Sequence, residues 1–217
     1  MNQPYTLFGC QNCGSTIVAA ALQLTGLAWN YEEADYDVDS PARDRLFALN
    51  PLGQVPTLVL PNNEIMTESA AIILWLHEQA PQAKLVPSRG SSLYPYFLRW
   101  LMFINTAIYP TFTYGDFPAK WLPQNTHPEQ LEEGISPHRQ KLWLQLASAS
   151  SHSGPWFLGE NFSALDLYIT VMCNWKPGRS WFKQHCPKLI EVAERVENMS
   201  ELNALLCTDF SQNISKP

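Results

Sequence analysis

The pattern of apolar residues changes once along the chain, near residue 85, and this change limits the folds open to it. Before that point strand-like and helix-like segments alternate, whereas no convincing strand follows it. The predicted order is β-α-β-α-β-β-α and then helices alone. An alternating start that ends in a hairpin favours a mixed sheet with helices packed on it, and the remainder favours a helical bundle.

The predicted elements of the first part are short and are separated by turn residues. Strands are expected at 5–8, 28–37, 57–60 and 64–66, and helices at 15–25, 40–50 and 67–80. Gly26 suits the position just past the first helix, and Ser40 suits the cap of the second.

A stretch with two prolines and a glycine, at 80–92, interrupts this pattern and predicts the domain boundary. We therefore predict domains at 1–81 and 93–217, joined by a linker at 82–92. Within the second domain, helices are expected at 92–110, 127–150, 163–175 and 186–206.

The composition excludes several classes of protein. With 46% hydrophobic and 16% charged residues the chain should be globular, and its net charge of -6 argues against a nucleic-acid or anionic-membrane partner. The first residues lack the basic and apolar segments of a signal peptide. The longest apolar-rich stretch contains Arg99 and Asn105 and is too short to span a bilayer. The chain has only five cysteines, an odd number for its length, which does not suggest the disulfide framework of a secreted protein. We expect a soluble, cytoplasmic protein.

Pro56 opens one of the predicted strands, within Asn-Pro-Leu-Gly-Gln-Val-Pro-Thr-Leu-Val-Leu at 50–60. A proline at the start of a strand avoids the loss of a ladder hydrogen bond. If the Val55–Pro56 peptide is cis, the neighbouring backbone turns outward and can pair with an extended peptide as a short added strand. The alternative is an ordinary loop that enters an edge strand.

Glu68 and Ser69 lie where the third helix is expected to begin. Backbone N–H groups and a hydroxyl at a helix start form an anion site, and a carboxylate beside them can neutralise an amine on the same ligand. The pair suits the free amino-acid end of a ligand, which carries both a carboxylate and an ammonium group. A simple helix cap explains the same residues without a ligand.

In their order and spacing, these segments resemble the cytosolic glutathione transferases, and the resemblance spans nearly the whole chain. The stretch at 50–60 and the run Met-Thr-Glu-Ser-Ala-Ala-Ile-Ile-Leu-Trp-Leu at 66–76 are highly specific for that family. In the second half, Phe-Leu-Gly-Glu-Asn-Phe-Ser-Ala-Leu-Asp resembles the family's capping box. There Ser163 and Asp166 would cap a buried helix reciprocally.

The resemblance implies a thioredoxin-like first domain, an all-helical second domain and glutathione bound between them as co-substrate. Family practice assigns Glu68 and Ser69 to the γ-glutamyl end of glutathione. It assigns Val55, next to a cis Pro56, to backbone pairing with the cysteinyl part, and Gln54 is a further expected contact. Because family members usually pair as two-fold dimers, the resemblance also implies a homodimer.

The family places its sulfur-activating group between the first strand and the first helix, where this chain has Gly-Cys-Gln-Asn-Cys-Gly-Ser at 9–15. Phe8 at the strand end argues against a tyrosine mechanism, which leaves Cys10, Cys13 and Ser15. A thiol at a helix N-terminus is stabilised as thiolate, and Cys13 lies nearest to that place. A serine would stabilise a bound glutathione thiolate, whereas a cysteine forms a mixed disulfide. Cys13 is the preferred group, and all three stay open.

Cys10 and Cys13 also match a dithiol redox motif. Only one residue separates the predicted strand end from Cys10, which places Cys10 off the helix start and weakens this alternative. A metal site is disfavoured, because no second Cys-x-x-Cys is present and the other cysteines lack paired spacing.

The electrophile pocket is expected on the second domain, in an aromatic-rich stretch at 108–121. The resemblance places the first helix of that domain on the active cleft, and Tyr109, Phe112 and Tyr114 are the predicted lining residues. The same rings would equally suit the core between the domains.

The sequence therefore predicts a glutathione transferase, of the detoxifying kind, that joins glutathione sulfur to a small hydrophobic electrophile or exchanges it with a disulfide. Two alternatives stay open. One is a glutathione-dependent thiol–disulfide oxidoreductase or peroxidase that uses Cys10 and Cys13. The other is a non-catalytic protein of the same fold that binds a partner.

Overall fold

The computed structural model describes residues 3–35, 38–123, 127–150 and 153–210. Its first part has the predicted order of strands and helices. The elements are β1 (Tyr5–Gly9), α1 (Ser15–Thr25), β2 (Trp29–Glu33), α2 (Pro41–Leu49), β3 (Thr57–Val59), β4 (Ile65–Met66) and α3 (Ser69–Gln79). The second strand is shorter than the predicted 28–37, and residues 36 and 37 lie outside the described ranges.

The four strands form the predicted mixed sheet, in the order β2-β1-β3-β4. β1 runs parallel to β2 and antiparallel to β3, and β3 pairs antiparallel with β4. Side chains alternate across β1, so Leu7 packs into the core with Ile17 of α1, whereas Phe8 packs with Leu46 of α2 on the opposite face. The sheet therefore lies between α2 and the pair α1 and α3.

Helix α1 is apolar on nearly every side because it lies between the sheet and the second domain. Ala20 and Ala21 are fully buried, and small side chains there let the neighbouring elements approach closely. The helix ends at the predicted place, where Gly26 takes a φ of 70° that disfavours residues with a Cβ. This helix carries the loop at 9–15 at its start.

The rest of the described chain is helical, as predicted. The helices are α4 (Leu93–Phe103), α5 (Pro110–Asp116), α6 (Pro128–Ser148), α7 (Ala164–Met172), α8 (Arg179–His185), α9 (Pro187–Glu197) and α10 (Asn203–Phe210). The predicted linker, 82–92, lies between the end of α3 and the start of α4. Leu85 within it is fully buried, and its carbonyl accepts a hydrogen bond of 2.8 Å from the Ala164 N–H.

The prediction of one helix over 92–110 was wrong, because a π-helical turn at Ile104–Ile108 separates α4 from α5. The Tyr109 N–H donates to the carbonyl of Ile104 at 2.8 Å. Pro110 has no N–H to donate and its ring crowds the preceding turn, so a widened turn comes before it. Helix α8 was not predicted at all.

The capping box of α7 is confirmed. Asp166 accepts hydrogen bonds from the N–H groups of Ser163 at 2.7 Å and Phe157 at 2.8 Å, and both members of the box are fully buried. Burial raises the pKa of Asp166 to about 7, and the N–H donors oppose that rise. The box fixes the start of a helix whose nine residues are all buried.

Candidate functional site

The loop before β3 holds Val55 at the surface of the first domain with its backbone open. The Val55–Pro56 peptide is cis. The carbonyl of Gln54 accepts hydrogen bonds from the Thr57 hydroxyl at 2.8 Å and from Asn50 Nδ2 at 3.2 Å, which fixes the loop. Neither backbone group of Val55 bonds to a described residue. Such a backbone can accept an extended peptide as an added strand.

Glu68 and Ser69 occupy the start of α3, close to the end of the hairpin. Glu68 is exposed and has a φ of 63°, a value that is uncommon outside glycine and frequent at functional sites. Its carboxylate does not cap the helix. The N–H groups of the first helical turn have no intrahelical acceptors, so they stay available to an anion.

The Ser69 hydroxyl is held from the second domain. It accepts a hydrogen bond of 2.7 Å from Tyr168 Oη on α7 and donates one of 3.2 Å to Asn105 Oδ1 in the π-helical turn. Burial raises the pKa of Tyr168 to about 12, so its hydroxyl stays a donor at neutral pH. Sequence reasoning missed both partners, although the π-helical turn that carries Asn105 is a feature often found at functional sites.

The segment 9–15, here called the sulfur corner, carries the three predicted sulfur-contacting residues. Cys10 and Cys13 form a disulfide with their Cα atoms 5.7 Å apart. Cys10 is 3% exposed, whereas Cys13 is half-buried. Helix α1 begins after both of them, at Ser15. Of the two cysteines, Cys13 is the more exposed residue.

Ser15 joins the strand to the helix. Its hydroxyl accepts a hydrogen bond of 3.0 Å from the Cys10 N–H and donates one of 2.9 Å to the Cys10 carbonyl. The residue is fully buried, and Gly9 lies so close that a Cβ there would be 2.7 Å from Ser15 Oγ. In this geometry the hydroxyl holds the corner together and has no exposed surface to offer a ligand.

Two side chains from the second domain bind the Asn12 peptide. Asp209 Oδ2, on α10, accepts a hydrogen bond of 3.0 Å from the Asn12 N–H, and Trp175 Nε1 donates one of 2.9 Å to the Asn12 carbonyl. Asp209 Oδ2 also accepts from the Thr16 hydroxyl at 2.8 Å. Sequence reasoning missed Asp209 and Trp175, because no local pattern marks a partner so distant along the chain.

The three predicted pocket residues lie in different environments. The hydroxyl of Tyr109 approaches the sulfur corner, where a Cβ on Gly14 would lie 2.0 Å from it. Phe112 is 6% exposed and packs against Trp175, with ring centroids 5.1 Å apart. Tyr114 is 38% exposed. The structure thus brings Tyr109 to the corner, buries Phe112 in the helical domain and leaves Tyr114 at the surface.

The other three cysteines, Cys173, Cys186 and Cys207, lie outside the sulfur corner. Cys173 and Cys186 are buried, and burial raises the pKa of the Cys186 thiol to about 11, which keeps it protonated at neutral pH. Cys207 on α10 is an exposed free thiol. No group of three or more potential metal ligands occurs within the described ranges. None of the described helices combines the length and apolar character needed to cross a bilayer.

Comparison with known proteins gives the same architecture. The family described as glutathione S-transferase, N-terminal domain, matches residues 15–79. A glutathione transferase homologue from Sulfitobacter, crystallised with bound glutathione, superposes with a TM-score of 0.84. The superposition covers 94% of this chain and 97% of the homologue at 23% sequence identity. It shows a thioredoxin-like first domain followed by a helical region.

Two curated proteins of Escherichia coli add sequence similarity. The uncharacterised GST-like protein YncG of strain K12 is 34% identical over 201 residues, which is 92% of this chain and 96% of that protein. Glutathione S-transferase GstA of strain O157:H7 is 31% identical over 136 residues, or 61% of this chain and 62% of that protein. The chain therefore belongs to the glutathione S-transferase family.

Proposed function

We propose that the protein is a glutathione transferase, which binds glutathione in the cleft and joins its sulfur to a small hydrophobic electrophile or exchanges it with a disulfide. One observation carries the proposal: the open backbone of Val55 and the anion-binding start of α3 at Glu68 and Ser69 lie on one domain. Together they suit an extended peptide with a free amino-acid end. The glutathione bound to the Sulfitobacter homologue supports the same choice of ligand.

The roles follow from the chemistry of each group. The first-turn N–H groups of α3 bind the γ-glutamyl carboxylate, and Glu68 neutralises the ammonium group beside it. Val55 pairs with the cysteinyl backbone, and Gln54 adds a contact from the same loop. The sulfur of glutathione then lies at the sulfur corner, where we assign Cys13 to it, because Cys13 is the more exposed of the two cysteines.

The Cys10–Cys13 disulfide favours a second candidate function, the reduction of disulfides. Cys13 as thiolate would attack a substrate disulfide, form a mixed disulfide and release one thiol. Cys10 would then attack the Cys13 sulfur, release the second thiol and close the internal disulfide. Two molecules of glutathione would restore the dithiol and leave as glutathione disulfide. The buried Cys10 and accessible Cys13 suit this division between attacking and resolving sulfur.

We propose a cytoplasmic homodimer, on the resemblance to the family and on the sparse cysteines. Tyr109 and Tyr114 are proposed to line the electrophile pocket, in which Tyr109 lies nearest the sulfur corner. Light scattering on a sizing column tests the dimer, and a mass of one chain contradicts it.

Titration calorimetry and thermal melting with reduced glutathione test the function. Binding with a millimolar or tighter dissociation constant and a raised melting temperature are expected, because a ligand that binds only the folded state stabilises it. The absence of both effects at millimolar glutathione would refute the proposal. Binding without turnover on a panel of electrophiles and disulfides would favour a non-catalytic member of the family.

Three substitutions then separate the chemistries. Loss of turnover in Cys13→Ser alone indicates mixed-disulfide exchange with glutathione, and loss in either Cys10→Ser or Cys13→Ser indicates the dithiol. Loss in Ser15→Ala alone indicates a serine-stabilised thiolate. Because Ser15 bridges Cys10 in this structure, a melting curve of Ser15→Ala is needed to distinguish lost chemistry from a lost fold.

A further inference from the structure

The Asn12 peptide gives the sulfur corner its shape. Asn12 has a φ of 54°, in the left-handed region that asparagine tolerates better than most residues. This conformation turns the chain back between Cys10 and Cys13. Two hydrogen bonds of the Asn12 backbone, to Asp209 and from Trp175, come from the second domain. The loop conformation therefore depends in part on groups outside the first domain.

Asp209 also occupies the positive end of α1. Helix α1 has no acidic residue in its first turn and no side-chain cap, so its own sequence leaves the N-terminal charge unopposed. The Asp209 carboxylate, from α10, accepts the Thr16 hydroxyl in that first turn. Two donors, the Asn12 N–H and the Thr16 hydroxyl, point at Oδ2, which suits an ionised carboxylate.

The positive end of α1 would stabilise a thiolate at Cys13, and the Asp209 carboxylate lies at that same end. The Asp209 carboxylate binds the N–H of Asn12, the residue before Cys13, and a negative charge so near in the chain disfavours a second one on the sulfur. Glu33 of β2 adds to the effect, since its carboxylate accepts a hydrogen bond of 3.3 Å from the Gln11 N–H. Partial burial and then Glu33 raise the pKa of Tyr31 on the same strand, so that phenol stays neutral.

We propose that Asp209 is a positioning residue of the sulfur corner, which fixes the Asn12 turn and, once the Cys10–Cys13 disulfide is reduced, disfavours ionisation of the Cys13 thiol through its negative charge. The inference rests on the proposed function for its catalytic meaning, since it concerns the regulation of that same site. Withdrawal of the Asp209 carboxylate from the loop frees the helix start and makes Cys13 more reactive. Burial raises the pKa of Asp209 and the two donors oppose that rise.

The test measures the ionisation of Cys13 directly. In reduced protein carrying Cys10→Ser, the rate of alkylation of Cys13 by iodoacetamide is followed from pH 5 to 10, and peptide mass spectrometry separates Cys13 from the exposed Cys207. Adding Asp209→Asn removes the charge and keeps an oxygen acceptor. We expect the midpoint of the rate profile to fall by about 0.5 in pH and the rate at pH 7 to rise about threefold.

Two further variants distinguish the effect of the negative charge at residue 209 from a change in the structure of the loop. Asp209→Glu keeps the charge and should retain the high midpoint. Glu160→Gln removes an exposed carboxylate on the loop before α7 and should leave the midpoint unchanged. If Asp209→Asn melts below the assay temperature, Asp209→Ser replaces it with the same expected fall.

An unchanged midpoint in folded Asp209→Asn, or an equal fall in Glu160→Gln, overturns the proposal. The assay contains no glutathione, so it can fail while glutathione binding is demonstrated by calorimetry. Equally, it can succeed in a chain that does not bind glutathione, which separates the two failures.

Discussion

The two ends of the proposed glutathione cleft are built from the chain in different ways. At the γ-glutamyl end, Val55 lies in the loop before the β3–β4 hairpin, and Glu68 and Ser69 lie at the start of the helix that follows it. At the sulfur corner, the conformation of Asn12 depends on partners 163 and 197 residues further along the chain. The second domain contacts both ends, but at the γ-glutamyl end it holds one side chain, the Ser69 hydroxyl, whereas at the sulfur corner it holds the backbone of the turn itself.

We expect the γ-glutamyl end to govern glutathione binding and the sulfur corner to govern the reactivity of the cysteines. The γ-glutamyl end offers backbone N–H groups and a carboxylate on regular elements, which suit recognition of a fixed ligand. The sulfur corner instead places carboxylates from β2 and α10 around a loop that carries two cysteines. Changes in the second domain should therefore alter the chemistry of sulfur more readily than the recognition of glutathione.

The largest effect should be common to both ends. Asp166→Ala removes the acceptor of two buried N–H groups and releases the start of α7, which leads to Tyr168 and Trp175. We expect a loss of about 2 to 4 kcal/mol in the free energy of unfolding, measured by urea denaturation. Ser40→Ala, which removes the cap of α2, is the matched control and should cost about 1 kcal/mol. Equal losses of stability in the two variants would show that the buried capping box stabilises the protein no more than the ordinary cap of α2.

A smaller effect should be confined to the sulfur corner. Gly14→Ala would place a Cβ 2.0 Å from the Tyr109 hydroxyl, so the loop or the ring must move. We expect a loss of about 1 to 3 kcal/mol in stability and an altered Cys13 alkylation rate. The glutathione dissociation constant should change less than threefold.

The double variant Gly14→Ala with Tyr109→Phe tests the cause, because it removes the clashing oxygen and leaves the next ring atom at 3.1 Å. It should regain most of the lost stability in the same denaturation experiment. If the double variant is no more stable than Gly14→Ala, the hydroxyl contact does not explain the cost.

The smallest expected effect concerns the γ-glutamyl end. Ser69→Ala removes a hydroxyl from the anion-binding helix start, and we expect glutathione affinity to fall about tenfold in calorimetry. Tyr168→Phe removes the buried partner of that hydroxyl and leaves Ser69 in place. It should change the affinity less than threefold. A tenfold loss in Tyr168→Phe would mean that this end, too, depends on the second domain.

Features with a short-range pattern could be predicted from the sequence. The cap formed by Ser163 and Asp166 depends on residues three apart, and Gly26 marks the end of α1 by its own conformational freedom. The start of α3 at Ser69 was likewise predicted, because a helix start imposes local geometry on its residues. The mixed sheet was predicted from the order of short strands and amphipathic helices.

Features that arise from docking could not be predicted in this way. Tyr168 lies in an apolar run, where its hydroxyl gives no sign that it reaches Ser69. Asp209 belongs to a short C-terminal helix whose sequence has no functional motif. The division of α4 from α5 depends on how the chain accommodates Pro110, and apolar periodicity does not register one widened turn.

Helix α7 makes one more property of the cleft apparent. Tyr168 within this helix bonds to Ser69, and Trp175, just past its end, bonds to the carbonyl of Asn12. Contacts to both ends of the proposed cleft therefore come from α7 and the turn that follows it. The capping box at the start of α7 thus anchors an element on which both ends of the proposed cleft depend.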